Sequence, residues 1–344
     1  MAHALAGQVP GLRSDVAVVV ITRNRRDDLL QTVVGLVGLP ENPRVVVVDN
    51  ASEDGSVAAL RALGADVDVI AASTNLEASA RTVGAQISDC RYVAFCDDDV
   101  CWQPGALTRA VQVLDAHPSV ALVCGRVVVG DDAHDDATCE FLARSPIPPR
   151  AGLPGPRLVG FLASASVVRR DAFIATGGFE PRLGVGGEES VVAYRLAAAG
   201  WDLVYAPDVV VHHRPSPVRD VTARRRVLAR NEVLTAALAR PLRALARTAS
   251  RTARIAVHDR ATARGLADAA LALPWALRNR RVVPRPVARE IDVAERAWLA
   301  HERRRGSVTQ GSVPQRSAPH ARDRLQAHRP GVARAPMPPS VSRP

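Results

Sequence analysis

Three consecutive acids, Asp97-Asp98-Asp99, follow a short apolar run from Tyr92 to Cys96 and precede Val100. A β-prone run bounded by charge reads as a strand buried on both faces of a parallel sheet. In open α/β sheets, ligands bind just beyond the carboxyl ends of such strands. On an extended chain Asp97 and Asp99 project to one side, roughly 7 Å apart at Cα. Carboxylates that close repel one another unless a proton or a cation intervenes. A hard divalent ion with oxygen ligands suits this spacing, and Mg²⁺ brings substrate phosphates with it. The alternative is an acidic loop, solvated after a strand.

Other polar groups fall at the same expected edge. Thr22-Arg23-Asn24-Arg25 follows the β-branched run Val16 to Ile21, and Asp49-Asn50-Ala51-Ser52 follows Arg44 to Val48. Asn75 precedes a helix that carries Arg81. Each alone could cap a helix or a turn, as Ser52 or Asp54 would. No GxGxxG or Walker loop follows the first strand, which excludes a dinucleotide dehydrogenase and a P-loop ATPase. Diphosphate charge would then be met by a metal and arginine.

Further on, Gly177-Gly178-Phe179-Glu180 and Gly184-Val185-Gly186-Gly187 form a glycine-rich stretch that ends in Glu188-Glu189-Ser190. Acids in a first helical turn are favoured by the macrodipole alone. Beside a ligand crevice, though, a carboxylate can act as general base. His212 and His213 end the last strand. A surface or core histidine is the plain reading, and a ligand for an ion such as Mn²⁺ is the other.

Elements that would position these groups alternate along the chain. The spacing predicts strands at Val16–Ile21, Arg44–Val48, Val67–Ala71, Tyr92–Cys96 and Val120–Gly130, and helices at Asp27–Leu39, Ser79–Ile87, Ala106–Ala116 and Ser190–Ala199. Such alternation gives βαβ units and a mostly parallel sheet. Arg144 to Pro156 reads as a loop, Phe161–Arg169 and Ala172–Thr176 follow it, and Trp201–Val211 reads as a final strand pair.

The 344 residues contain no lysine, so all 45 basic side chains are arginine. The net charge of +10 hides a division: the chain is −9 through His213 and +19 from Arg214 onward. An acidic first part is unsuited to gripping phosphate backbones, while the basic remainder can meet an anionic surface. Three readings of that remainder are a solvated helical extension, a peripheral contact with an anionic membrane, and nucleic-acid binding. The last is disfavoured because aromatic residues are not interleaved there. Five cysteines without a CxxC pair suggest neither a zinc framework nor a disulfide ladder, and fit a reducing cytosol. Met1 to Ser14 lacks the pattern of a signal peptide, and no window reaches the length of a membrane span. The last forty or so residues, rich in Pro, Ser, Gln and Arg, read as a disordered tail.

In order, Val19–Arg25, Val47–Ser52, Asp97–Asp99, Gly177–Glu180, Gly187–Glu189 and the late histidines resemble the family 2 inverting glycosyltransferases of the GT-A fold. The resemblance covers about residues 15–215 and touches Arg230-Asn231. It implies an α/β, Rossmann-like, mostly parallel sheet flanked by helices, divided as a tail (1–14), the GT-A domain (15–215), an Arg-rich helical extension (216–303) and a disordered tail (304–344). Thr22, Asn24 and Asp49-Asn50 would shape the nucleotide pocket, with Arg23 where an aromatic often stacks on the base. Arg81 would lie near base or phosphates, and Asp97 and Asp98 would face the ribose. Asp99, helped by Asp97 and His212, would hold Mg²⁺ or Mn²⁺. Glu189, or else Glu188, would be the catalytic base, with Glu189 in place of the usual Asp. Glu77 and Thr82 stand where Gly and Asn are common.

The implied activity is metal-dependent, inverting transfer of one sugar from a UDP-, GDP- or dTDP-linked donor to a hydroxyl. Lipid-linked and cell-envelope acceptors would both suit it. The Gln-x-x-Arg-Trp signature of processive members is absent. A cytoplasmic enzyme, peripheral at the inner face of the plasma membrane, is the matching location. The rival classes are a non-catalytic nucleotide-sugar binder and a sugar-phosphate nucleotidyltransferase, the latter usually marked by a Gly-rich basic loop after the first strand.

Overall fold

Val16–Thr22 is buried along its whole length, as a β-branched run must be between two sheet neighbours (β1). It pairs in parallel with Arg44–Asp49 (β2) and Tyr92–Asp97 (β4), and β2 pairs with Val67–Ala71 (β3). Helices Arg26–Val37 (α1), Ser56–Ala62 (α2) and Ala80–Ile87 (α3) make the crossovers. Gly84 lets α3 lie directly on β1, since a Cβ there would come within 2.4 Å of Val19 Cγ1. This is a computed structural model, and it describes residues 12, 15–130, 133–215 and 221–309.

The second half of the sheet is mixed. Val120–Val129 (β6) pairs in parallel with Asp202–His213 (β9), and Ser166–Arg169 (β8) lies antiparallel between β4 and β6. Val100–Trp102 (β5) pairs antiparallel with the end of β9, and His134–Asp135 (β7) with the end of β6. The order is β3-β2-β1-β4-β8-β6-β9-β5, with β7 off that path. Ala106–Ala116 (α4), Ala137–Ala143 (α5), Arg170–Ala175 (α6) and Glu189–Ala198 (α7) complete this part. The α/β expectation of a sheet flanked by helices holds, the sheet being parallel over β1 to β4 and mixed beyond, and β5 and β7 carry no signal in the sequence. The expected strand pair over Trp201–Val211 is one long, bulged strand.

Beyond it come Val221–Ala239 (α8), Leu242–Ala256 (α9), Arg260–Arg278 (α10) and Arg285–Thr309 (α11). Leu183 and Val191 join Val233, Leu234, Leu238 and Ala269 in an apolar cluster that seats α8 and α10 against α7. Gly265 allows the close approach of α10 to α8: a Cβ there would lie 2.2 Å from Arg226 O. Many arginines in these helices are bound internally. Arg240 and Arg251 each lie 2.6 Å from Glu295, Arg247 lies 2.8 Å from Asp292, and Arg157 lies 2.9 Å from Glu290.

Residues up to Ala300 form one unit, and the described residues from His301 to Thr309, which belong to a second, continue α11. Helix thus extends into residues 304–309, the start of the expected disordered tail. The rest of that tail, the N-terminal tail apart from Leu12, and residues 216–220 at the expected domain boundary lie outside the described residues.

Candidate active site

Register sets Thr22 beside Asp49 and Ile21 beside Asp97, so the carboxyl ends of β1, β2 and β4 form one edge. A cleft of about 480 Å³ opens there. Thr22, Arg23, Asn50 and Arg81 line it together with Asp97, Asp98 and Asp99, as do Arg25, Asn75 and Arg224. Four separate loop sites read from the sequence therefore converge.

The three acids do not divide as simple alternation requires. β4 ends at Asp97, and Asp98-Asp99 turn into β5, so a period of two no longer applies. One nitrogen of Arg25 donates to Asp98 Oδ1 and Asp99 Oδ2, each at 2.9 Å. The Thr22 hydroxyl donates to Asp98 Oδ2 at 2.9 Å, so both Asp98 oxygens are engaged. Burial raises Asp98 to about 6, against the opposing pull of Arg25. Burial also acts on Asp99, but hydrogen bonds from His213 and Arg25 outweigh it and hold that group down to about 2. Asp97 is the open member, its side chain 37% exposed, and it is held by Arg81 Nη2 at 2.5 Å.

His212 is exposed and sits opposite Cys101 in strand register. It is His213 whose Nε2 lies 3.4 Å from Asp99 Oδ1. Among the described residues, no three His, Cys, Asp or Glu side chains already converge as a metal cage.

Asn24 and Asp49 work behind the cleft. Asn24, at φ 53°, accepts from Glu53 N and donates its own N–H to Ser52 Oγ, both at 2.8 Å, which locks the first two loops together. Asp49 is buried and accepts from Ser52 N at 2.9 Å, while its Oδ1 has no partner among the described residues. Asn50 accepts from Leu76 N at 3.0 Å and so ties the third loop in.

Arg81 is 3% exposed and joins this edge to α7. Its Nη1 lies 3.4 Å from Glu188 Oε1, and its guanidinium sits over the Phe179 ring at 5.5 Å. Burial opposes its charge, yet Asp97 and then Glu188 raise its pKa. Glu188, 2% exposed, also accepts from Gly186 N at 2.5 Å. Glu189 opens α7 and is half-buried; burial first, then the charge of Glu188, raise it to about 8.

The glycine-rich loop is clamped from two sides. Asn231, on α8, donates to Leu183 O at 2.8 Å and Gly186 O at 2.7 Å. Glu77 accepts from Val185 N at 3.1 Å, and Gly184, at φ 70°, passes so close that a Cβ would lie 1.8 Å from Glu77 Oε2. Arg25, His213, Glu77 and Asn231 carry this arrangement: Arg25 belongs to the first polar stretch and His213 to the histidine pair read as a possible ligand, whereas no chemical role was expected of Glu77 or Asn231. The choice between His212 and His213, and the pairing of Arg25 with Asp98 and Asp99, depend on the bulge in β9 and the turn after β4, which no local signal marks.

Residues 17–177 match the model of Glycosyl transferase family 2. Two curated relatives, both "Pre-mycofactocin glycosyltransferase" from Mycobacterium tuberculosis (strains CDC 1551 and H37Rv), are 31% identical over 242 residues. That stretch is 65% of this chain and 48% of theirs, so the chain spans about half the length of these relatives. Among solved structures, the mannosyltransferase PcManGT from Pyrobaculum calidifontis, in complex with GDP-Man and Mn²⁺, superposes with a TM-score of 0.53 at 22% identity. That match covers 90% of this chain and 84% of the other. The architecture is the GT-A fold of the glycosyltransferases. Over residues 17–177 the chain is thus similar to the family 2 glycosyltransferases.

Removing one partner of a buried ion pair leaves the other charge uncompensated, at about 3–5 kcal/mol. Arg81→Met should therefore lower the unfolding free energy by about that amount in urea titrations. Adding Glu188→Gln and Asp97→Asn should restore most of it. A loss below about 1 kcal/mol would mean that Arg81 is a surface pair in disguise.

Proposed function

We propose that this chain transfers a single sugar from a nucleoside diphosphate sugar, linked to UDP, GDP or dTDP, to an acceptor hydroxyl with inversion. The carrying observation is Arg81, which binds Asp97 on one side and Glu188 on the other and so holds the acidic sheet edge beside Glu189. A nucleotide pocket formed by Thr22, Arg23, Asn50 and Asp97, with Asn24 and Asp49 fixing its loops, is supported by the cleft they share. Arg23, Arg25 and Arg224 supply guanidinium groups for a diphosphate, which they can meet in bidentate fashion. The bound GDP-Man and Mn²⁺ of the mannosyltransferase with the similar fold favour such a donor and a divalent ion here.

Asp99 and His213, with Asp97 nearby, offer a donor set that fits Mg²⁺ or Mn²⁺. Such ions take one or two protein ligands and complete their shell with phosphate and water, so a closed cage is not needed. When bound, the ion stabilises charge on the departing diphosphate. The acceptor oxygen bonds to the anomeric carbon as the carbon–oxygen bond to the diphosphate breaks. The acceptor proton passes to Glu189. Glu188 is tied to Arg81 and Gly186, which leaves Glu189 as the base of the two.

A peripheral contact with an anionic membrane at its cytoplasmic face belongs to the same reading. No helix among the described residues is long and apolar enough to cross a membrane. On α9, α10 and the turn between them, Leu242, Ile255, Val257 and Leu271 are exposed near the exposed arginines Arg243, Arg254 and Arg260.

Three outcomes test these assignments. A base raised to about 8 must lose its proton to work, so kcat/KM should climb with pH through a limb near 8 and level off above it. Glu189→Gln should remove that limb and lower kcat by roughly 10²-fold or more, with donor-induced thermal shifts retained. A flat wild-type profile would sink the assignment, and donor binding without any hydrolysis would leave a binder. Asp99→Asn should abolish Mn²⁺-dependent donor turnover; normal turnover by this variant after chelation would overturn the metal role. Finally, co-sedimentation with anionic vesicles should be strong at low salt and lost at high salt, while equal recovery with neutral vesicles would remove the membrane contact.

A further inference from the structure

A second cavity, about 620 Å³, adjoins the donor cleft. Val185 lines the cleft and Gly187 lines the cavity, so the glycine-rich loop is a wall between them. On α8, Arg224 faces the cleft and Arg225 the cavity. Ser190, next to Glu189, also lines the cavity, which places its near end at the first turn of α7. The two spaces thus meet where a sugar acceptor would have to present its hydroxyl.

The walls are mainly apolar, with Phe141, Ile147, Phe161, Leu228, Ile291 and Trp298 among them. Phe141 and Trp298 pack edge to face at 5.1 Å, which gives that wall a fixed shape. Charged groups at the boundary are already matched: Arg240 with Glu295 at 2.6 Å, Arg225 with Asp259 at 3.3 Å, and Glu232 with Arg251. They leave no free charge to recruit an ionic ligand. The hydroxyl of Thr235, 6% exposed in the same wall, is buried with no hydrogen-bond partner among the described residues. A buried hydroxyl without a partner is costly, and a bound polar atom would satisfy it.

We propose that this cavity seats the acceptor, and that the acceptor is a compact molecule with an apolar body and a hydroxyl, not an extended sugar chain. The proposal rests on the transferase reading and names the substrate class for it. The volume lies in the range of small-molecule sites, which are concave, mostly apolar and carry a few placed polar groups. A sugar chain would present hydroxyls to walls of phenylalanine, leucine and isoleucine and leave them unpaired. An apolar body fills the same walls, meets Thr235 along its length and directs its hydroxyl toward Glu189. The reaction there is the one already written, with the proton going to Glu189 and the electron pair of the broken bond to the diphosphate.

Gly160 supplies the test. It lines the cavity, and a Cβ built on it meets nothing within 4 Å, so Gly160→Phe enters open space. The probe is 2-naphthylethanol, followed by its fluorescence on the full chain, with maltotriose as the sugar-chain control in transfer assays. The wild type should bind the probe, and Gly160→Phe should bind it at least tenfold more weakly with melting temperature and donor-induced shift unchanged. Transfer to the probe should exceed transfer to maltotriose. Equal binding by both proteins, no binding by the wild type, or preferred transfer to maltotriose would overturn the proposal. Should Gly160→Phe fail to fold, Thr235→Phe fills the same space and is read in the same way. Probe binding without donor binding or hydrolysis strikes the transferase reading alone, whereas donor hydrolysis without probe binding strikes only this one.

Discussion

A guanidinium that is 3% exposed is tolerated only where opposite charge and hydrogen bonds meet it, because desolvation costs several kcal/mol per ion. Arg81 meets that condition from two elements far apart in sequence: Asp97 ends β4, and Glu188 immediately precedes α7. The third contact is the face of Phe179, whose ring packs against Phe95 and Phe173 at 5.5 and 5.6 Å. The ion pair therefore rests on the aromatic part of the core. Any shift of α7 relative to the sheet would strand a buried charge. The spacing between the acidic edge and Glu189 is held by that penalty.

The parallel half of the fold was legible because it is coded locally. β1, β2 and β4 are built on continuous apolar runs, β3 carries only Asp68 within its own, and helical spacing marks the crossovers. The mixed half was not, because its strands exist through partners. β5 is three residues long and forms against the end of β9; β8 has four and fills the gap between β4 and β6. Among the site residues at strand ends, Thr22 and Asp97 line the cleft, while Asp49, set beside Thr22 by register, lies behind it. Side-chain direction was less readable. The strand stops at Asp97, so Asp98 joins Asp99 on Arg25 and all three acids line the one cleft, which a period of two does not express. In β9, Ala206 faces Gly125 but Val210 faces Arg126, so parity counted from the start of the strand fails at its end. That bulge decides which of two adjacent histidines turns to Asp99.

The basic C-terminal part shows how little a charge balance says about where charge goes. Its excess of arginine suggested an external surface. Arg240 is 4% exposed and Arg251 is half-buried, and both are spent on Glu295 while Arg240 and Arg247 share Asp292. Arg230 and Asn231 reach back to Leu183 O, at 2.5 and 2.8 Å, and brace the loop ahead of Glu188. These helices are therefore part of the site's support, a role that composition cannot express. The exposed arginines on α9 and α10 are a smaller set than the net charge implies.

Adjacent carboxylates at Glu188 and Glu189 would be redundant if their surroundings were alike. They are not. Glu188 receives Arg81 and the Gly186 amide, whereas Glu189 makes no ion pair among the described residues, and burial, then the charge of its neighbour, raise it. Environments that push two titratable groups apart are how one site separates a holding role from a proton-accepting one. The same contact that fixes α7 against the sheet thus also engages one glutamate and leaves its neighbour outside the ion pair.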